Sequence, residues 1–84
     1  MGMDENTNIY NVEEVEDQLV RTTLDEVYDA LVERGYNPIN QLIGYIMSGD
    51  PGYISSHRDA RKNITKLERN KILEVLLKDY MSGK

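Results

Sequence analysis

The sequence predicts an all-α protein: a compact bundle of four or five short helices that follows a flexible N-terminal tail. Apolar residues recur every three or four positions in several segments. Glycine and proline residues separate those segments, and no segment alternates as a half-buried strand would. Residues 1–10 are polar and lack periodicity. We therefore expect a tail over residues 1–10 and a single helical domain over residues 11–82.

The first helix is predicted to begin after Asn11, which can cap it while Glu14 stands at the third helical position. Gly35 predicts its end, because glycine adopts the left-handed conformation most easily. A second start signal at residues 23–26 leaves open whether the helix is continuous or breaks near residues 21–22. The predicted inner face consists of Val12, Val15, Leu19, Thr23, Val27 and Leu31, widened by Leu24, Tyr28 and Val32.

The second helix is predicted to begin at Asn37, a capping residue, with Pro38 at the first helical position. Gly49 ends it, and Asp-Pro-Gly at residues 50–52 is a strong turn signal. Residues 53–54 then form either a single helical turn or a buried tether. The apolar stripe of this helix consists of Ile39, Leu42, Ile43, Ile46 and Met47.

Residues 57–81 form either one bent helix or two, and the pattern leaves both alternatives open. Ser56 and Asp59 predict the cap of a basic helix, and Asn70 can cap a last helix. The apolar positions are Ala60, Ile64 and Leu67 in the basic part and Ile72, Leu73, Leu76, Leu77, Tyr80 and Met81 in the last part.

Charge is divided along the chain. Residues 1–33 carry ten acidic side chains and one basic one, which gives −9, whereas residues 57–71 carry six basic and two acidic ones, which gives +4. One half can therefore attract the other, within one chain or between two. A chain of 84 residues without cysteine has a thin core, so we expect a homodimer. Without a long apolar run or a signal peptide, we expect a cytoplasmic protein with no membrane insertion.

No catalytic, cofactor-binding or metal-binding arrangement is recognisable, so we expect a protein that is not an enzyme and holds no cofactor. His57 is the only histidine and follows Ser55 and Ser56, but no carboxylate stands at a spacing that would orient it for catalysis. A hydrolase centred on His57 is therefore the least favoured of the functions considered. The acidic run at residues 13–17 lacks the spacing of a calcium loop, and no glycine-rich phosphate loop is present.

A candidate dimer or partner surface consists of Gly44, Tyr45, Tyr53, Arg58 and Arg61. Glycine inside a helix costs about 1 kcal/mol relative to alanine, which favours a close backbone approach at Gly44. That approach occurs either within the monomer or between two protomers. Tyrosines suit such surfaces, because an apolar ring carries a polar tip. The basic helix over residues 57–71 also suggests an alternative function, a small nucleic-acid-binding regulator, although the overall negative charge opposes phosphate.

One central block resembles a known family. Gly-Tyr-Asn-Pro-Ile-Asn-Gln at residues 35–41, Gly-Tyr at 44–45, Ser-Gly-Asp-Pro at 48–51, Tyr-Ile at 53–54, and His57 followed by Ala60 and Arg61 look like the IreB family of regulatory phosphoproteins. The resemblance extends over about residues 24–81 and includes Leu-Glu-Arg at 67–69.

The resemblance implies a helical homodimer that is a substrate of a membrane-anchored Ser/Thr kinase with extracellular PASTA repeats, with a cognate phosphatase. It implies negative regulation of intrinsic cephalosporin resistance within cell-envelope stress signalling. Because of the overall negative charge, we expect no nucleic-acid partner. The family's Thr-x-x-aromatic pattern falls on Thr7 and Tyr10, so Thr7 is the expected phosphorylation site. Thr7 is the only threonine before residue 22, which departs from a tail with two acceptors.

Overall fold

The structure, a computed structural model, describes residues 11–83. These residues form four α-helices: α1 over Val12–Glu33, α2 over Pro38–Ser48, α3 over Ala60–Ile64 and α4 over Arg69–Met81. Two short 3-10 turns, Pro51–Tyr53 and His57–Asp59, lie between α2 and α3. No strand occurs within residues 11–83, and the predicted all-α fold is confirmed.

The α1 helix is continuous through residues 21–22, which decides between the two alternatives. The Asn11 Oδ1 atom accepts a hydrogen bond of 3.2 Å from the backbone N–H of Glu14, so the predicted cap is confirmed. At the other end Gly35 has φ +83°. The backbone N–H of Gly35 donates to the Val32 carbonyl and that of Tyr36 to the Leu31 carbonyl. This pattern closes the helix with a left-handed glycine.

The α2 helix has the predicted boundaries. Asn37 Oδ1 accepts a hydrogen bond of 3.0 Å from the Asn40 N–H, and Pro38 is the first helical residue. Gly49 follows the last turn with φ +75°. The Arg69 guanidinium lies against Gly49, and its Nη1 donates to the Ile46 carbonyl at 2.9 Å. An arginine from the start of α4 thus satisfies a carbonyl that the end of α2 leaves open.

Two predicted caps in the C-terminal half are wrong. The Ser56 side chain caps nothing, and the Ser55 Oγ atom instead accepts from the His57 N–H at 3.0 Å. Asp59 precedes α3 without a side-chain cap. Asn70 lies inside α4, because that helix already begins at Arg69 after an extended residue 68. Residues 57–81 are therefore two α-helices preceded by a 3-10 turn.

The core lies where α1 meets the other three helices. Ile54 is fully buried and directly follows the turn that ends at Tyr53, so residues 53–54 are both a helical turn and a buried tether. The buried hydrophobic residues are Val20, Val27, Ala30, Leu31, Tyr45, Ile54, Ala60, Ile64, Ile72 and Val75.

Many of the apolar residues assigned to inner faces lie outside this core. On α1, Val12, Val15 and Leu19 are exposed, and the buried positions in that half are Asp17 and Val20. The other exposed members of the predicted stripes are Tyr28 and Val32 on α1, Ile39, Ile43 and Met47 on α2, and Leu73, Leu76, Leu77, Tyr80 and Met81 on α4. Apolar surface therefore remains on the outside of α2 and α4.

Candidate functional site

The predicted phosphorylation site, Thr7, lies outside the described residues. The candidate functional features within residues 11–83 are the connection between α2 and α3, an apolar groove, and the charged contacts between α1 and later parts of the chain.

Gly44 is covered by an aromatic ring of the same chain. A Cβ atom at this position would overlap Cε1 and Cδ1 of Tyr53. The Tyr53 carbonyl accepts a hydrogen bond of 2.9 Å from Gln41 Nε2, which fixes the turn against α2. Of the two interpretations of Gly44, close packing within the monomer is the one observed.

The packing of Tyr53 on Gly44 can be tested by substitution. In the wild-type background, Gly44→Ala is expected to lower stability, because the new methyl group displaces the Tyr53 ring. In a Tyr53→Ala background the same substitution is expected to raise the free energy of unfolding by about 1 kcal/mol, the difference in helix propensity. Urea denaturation of the four proteins of this cycle measures both values. The same effect of Gly44→Ala in both backgrounds would contradict the packing interpretation.

The other members of the predicted surface differ in their exposure. Tyr45 is only 4% exposed and belongs to the core, so its assignment to an exposed partner surface is wrong. The side chain of Tyr45 fills the interior where α2 faces α1, whereas the ring of Tyr53 lies on the outside of α2. Tyr53, Arg58 and Arg61 are exposed.

Glu33, the last residue of α1, holds the turn before α3. Its Oε1 lies 2.8 Å from His57 Nε2 and its Oε2 lies 2.9 Å from Arg58 Nη1. The hydrogen bond with His57 and, less strongly, the positive charge of Arg58 lower the pKa of Glu33. Arg58 and Asp59 both have left-handed backbones, with φ 57° and 61°. Such conformations are strained for non-glycine residues, and the Glu33 contacts help to hold them.

The same contacts bear on the hydrolase hypothesis. The His57 ring faces a carboxylate, and the link to Ser55 is made by the backbone N–H of His57. The arrangement therefore lacks the hydrogen bond between an imidazole and a nucleophilic hydroxyl that serine catalysis requires.

Arg61 fixes the second half of the connection. Its Nε donates to two backbone carbonyls, at 3.1 Å to Pro51 and at 2.8 Å to Ile54. The guanidinium therefore has a set orientation on the surface, at the edge of an open pocket whose lining includes charged and hydroxyl side chains. We call this the Arg61 pocket; it is lined by Pro51, Ser56, Asp59, Arg61, Lys62 and Thr65.

An apolar groove of about 290 Å³ lies between α1, α2 and α4. Of its eight lining residues, three belong to α1, four to α2 and one to α4. Asp25 is the one charged residue among those that line it. The lining residues are Leu24, Asp25, Tyr28, Ile39, Leu42, Ile43, Ile46 and Leu76.

A buried carboxylate joins α1 to α4, and the sequence analysis missed it. Asp17 is only 3% exposed. Its Oδ2 lies 2.6 Å from Lys78 Nζ and its Oδ1 lies 2.9 Å from Lys71 Nζ. The hydrogen bonds with Lys78 and then Lys71 lower the pKa of Asp17. Arg21 and Asp79 form a second link between the helices, at 2.7 Å. The spacing of Lys71 and Lys78, two helical turns apart, was the available signal.

The basic segment over residues 57–71 is not one helix, and most of its cations have partners. Arg58 and Lys71 pair with acidic residues of α1, while Arg61 and Arg69 donate to backbone carbonyls. Arg58 and Lys71 thus provide attraction between the two halves within one protomer. A five-residue α3 is also short for a recognition helix. These contacts do not favour the nucleic-acid alternative.

Within residues 11–83, no group of three or more histidine, cysteine, aspartate or glutamate side chains could hold a metal ion. None of the helices in this range combines the length and apolar character needed to cross a membrane.

Comparison with known proteins identifies the family. A family model described as IreB regulatory phosphoprotein matches residues 5–82. A UPF0297 protein of Lachnoclostridium phytofermentans is 51% identical over 78 residues, which cover 93% of this chain and 89% of the relative. A UPF0297 protein of Acetivibrio thermocellus is 52% identical over 75 residues, which cover 89% of this chain and 83% of the relative. The chain therefore belongs to the IreB family of regulatory phosphoproteins.

Proposed function

We propose that this protein is a cytoplasmic, non-enzymatic regulator whose state is set by phosphorylation of Thr7. A membrane-anchored Ser/Thr kinase with PASTA repeats adds the phosphate and a cognate phosphatase removes it. In this role the protein restrains intrinsic cephalosporin resistance within the cell-envelope stress response. The observation that carries the proposal is the match to a regulatory phosphoprotein family over residues 5–82, a range that includes Thr7.

The position of Thr7 supports its role as the acceptor. It stands five residues before the start of α1, in a polar segment, and Tyr10 follows it at the spacing of the family pattern. The other threonines belong to the folded part. Thr22 and Thr23 lie within α1, where Thr23 is buried, and Thr65 lies at the end of α3. A phosphate on Thr7 adds about −1.5 to −2 charges close to an already acidic helix start.

Mass spectrometry of intact protein and fragments tests this proposal. After incubation with the kinase domain and ATP, wild-type protein is expected to gain one phosphate on Thr7, and Thr7→Ala is expected to gain none. Thr65→Ala is the matched control and is expected to be modified as wild type is. Phosphate on Thr65 with none on Thr7 would overturn the proposal.

We further propose that the protein is a homodimer that covers the apolar groove. Ile39, Ile43 and Met47 are each more than half exposed on the outer side of α2. An 84-residue chain gains much of its missing burial by pairing such a surface with itself. The two-fold symmetry of a homodimer places the same apolar patch on both sides of the interface.

A further inference from the structure

The Arg61 pocket presents hydrogen-bond donors that the fold has already fixed. Arg61 donates its Nε–H to the Pro51 and Ile54 carbonyls, and its terminal nitrogens form no hydrogen bond or ion pair within residues 11–83. Lys62 lines the same pocket and pairs with no carboxylate within residues 11–83. The Ser56 hydroxyl, also in the lining, is not used as a cap.

These groups match a phosphate monoester. A guanidinium offers two parallel N–H groups to phosphate oxygens, an ammonium adds a point charge, and a hydroxyl can donate a third hydrogen bond. Asp59 is the one carboxylate in the lining, so the two cations leave the pocket with a charge of +1. The Thr65 hydroxyl donates to the Lys62 carbonyl and is not available as a donor.

We propose that the Arg61 pocket binds phosphorylated Thr7 of a second copy of this chain. This inference rests on the proposed phosphorylation of Thr7. It assigns the phosphate a receiving site: modification of one protomer would tie its tail to the α2–α3 connection of another.

Chain length favours a contact between two copies. Five residue steps separate Thr7 from Val12, so Thr7 stays within about 18 Å of the start of α1 even when the tail is fully extended. The pocket lies beside the second half of α1: Arg58, one turn before Arg61, pairs with Glu33, and Asn63, next to Lys62, shares a surface with Glu26. Glu26 and Glu33 lie about 21 Å and about 31 Å along the helix axis from Val12. A tail extended along α1 ends short of both positions, which favours the pocket of a second copy.

Lys62 and Lys66 form a matched pair for testing the assignment. Both are exposed lysines without a carboxylate partner among the described residues, and they lie four positions apart. Lys62 lines the Arg61 pocket, whereas Lys66 lines a different surface beside Leu19 and Leu67. That second surface also includes Glu16 and Val20 of α1, so it lies nearer to the tail of the same chain.

The experiment is an NMR titration of the isotope-labelled full-length Thr7→Ala protein. The probe is a synthetic peptide of residues 1–12 with phosphothreonine at position 7. Saturable shifts are expected at the Arg61 Nε–H and at the backbone amides of Ser56 and Lys62. Lys62→Gln is expected to weaken binding about tenfold, the loss of one charge-assisted contact, and Lys66→Gln by less than about twofold. The unphosphorylated peptide is expected to cause no shift.

Several outcomes would overturn the inference. They are equal binding of the unphosphorylated peptide, an unchanged affinity of Lys62→Gln, shifts confined to the surface around Lys66, and inorganic phosphate binding as tightly as the peptide. In a second step, labelled Thr7→Ala protein is mixed with unlabelled full-length protein that carries the phosphate. The same shifts must then appear between whole chains.

The experiments distinguish failure of the proposed function from failure of the proposed Arg61 pocket. The peptide carries a phosphate installed by synthesis, so its binding does not depend on any kinase. A kinase that leaves Thr7 unmodified would overturn the proposed function while the titration stands. Absence of binding would remove the Arg61 pocket while phosphorylation of Thr7 stands.

Discussion

Replacing Ile43 by glutamate is expected to convert the proposed homodimer into a monomer. Ile43 is 54% exposed in the protomer and lines the apolar groove, so its side chain becomes buried only when a partner covers that groove. Burial of an unpaired carboxylate is strongly unfavourable, and two-fold symmetry introduces two carboxylates for each substitution. We expect the dissociation constant of the dimer to rise by at least about a hundredfold. Analytical ultracentrifugation over a range of concentrations measures this change.

Val15→Glu is the matched control. Val15 is a branched aliphatic residue with nearly the same exposure, 55%. It lies nine residues before Leu24 on α1, which at about 100° per residue places it on the side of the helix opposite the groove. We expect Val15→Glu to leave the dimer intact. Dissociation by both substitutions would point to a general loss of structure, and an unchanged dimer in Ile43→Glu would place the interface elsewhere.

The order and boundaries of α1 and α2 were predictable, because their ends are local. Asn11 and Asn37 each cap a helix by accepting a hydrogen bond from the backbone N–H of the third residue after them. Gly35 and Gly49 take the left-handed positions that follow each helix. These contacts involve residues within a few positions of each other. The strained residues Arg58 and Asp59 were not predictable, because Glu33, distant in the sequence, helps to hold them.

The inner face of α1 was predicted correctly at Val27 and Leu31 but not at Val12, Val15 and Leu19. Residues spaced by four positions advance by about 40° around the helix axis with each repeat. Leu19, two repeats before Val27, therefore points about 80° away from the direction of Val27. In that half the core side carries Asp17 and Val20. An acidic residue at an inner position could not be recognised without its lysine partners, which lie more than fifty residues later.

The candidate site shows the same division between local and distant contacts. The significance of residues 35–61 was evident from their density of glycine, proline and tyrosine. Which surface each residue serves depended on packing: Tyr45 is in the core, Tyr53 covers Gly44, and Arg61 is held by two carbonyls of the turn. The sequence pattern could not distinguish the residues of the apolar groove from those of the core, because an exposed and a buried apolar stripe have the same spacing.

Asp17→Asn is expected to be the most destabilising single removal of charge in the folded domain. The carboxylate is nearly inaccessible and is shared by Lys71 and Lys78. An amide would leave the two ammonium groups with only the more exposed carboxylates of Glu13 and Glu74 as counter-charges. Glu13→Gln is the control: it removes another partner of Lys78, at 2.9 Å, from an exposed position. We expect the loss of stability in Asp17→Asn to be several times that in Glu13→Gln.

The pH dependence distinguishes the ion pair from a packing effect. Hydrogen bonds from Lys78 and Lys71 lower the pKa of Asp17 in the folded protein below its unfolded value of about 3.9. The carboxylate binds fewer protons in the folded chain, so its stabilisation is fully present above that value and is lost as the pH falls through the folded pKa. The difference in stability between wild type and Asp17→Asn is therefore expected to be large at pH 7 and to shrink below about pH 4.

Urea denaturation at fixed protein concentration, at pH 7 and pH 3, measures the two differences. The comparison uses the difference in unfolding free energy between wild type and Asp17→Asn. The pKa values of Glu33 and Asp79 are also lowered, so both proteins lose those contributions in acid and the difference removes them. A difference that is as large at pH 3 as at pH 7 would mean that shape, not charge, holds Asp17 between the helices. A difference that shrinks in acid would identify the Asp17 ion pair as the link that fastens the start of α1 to α4.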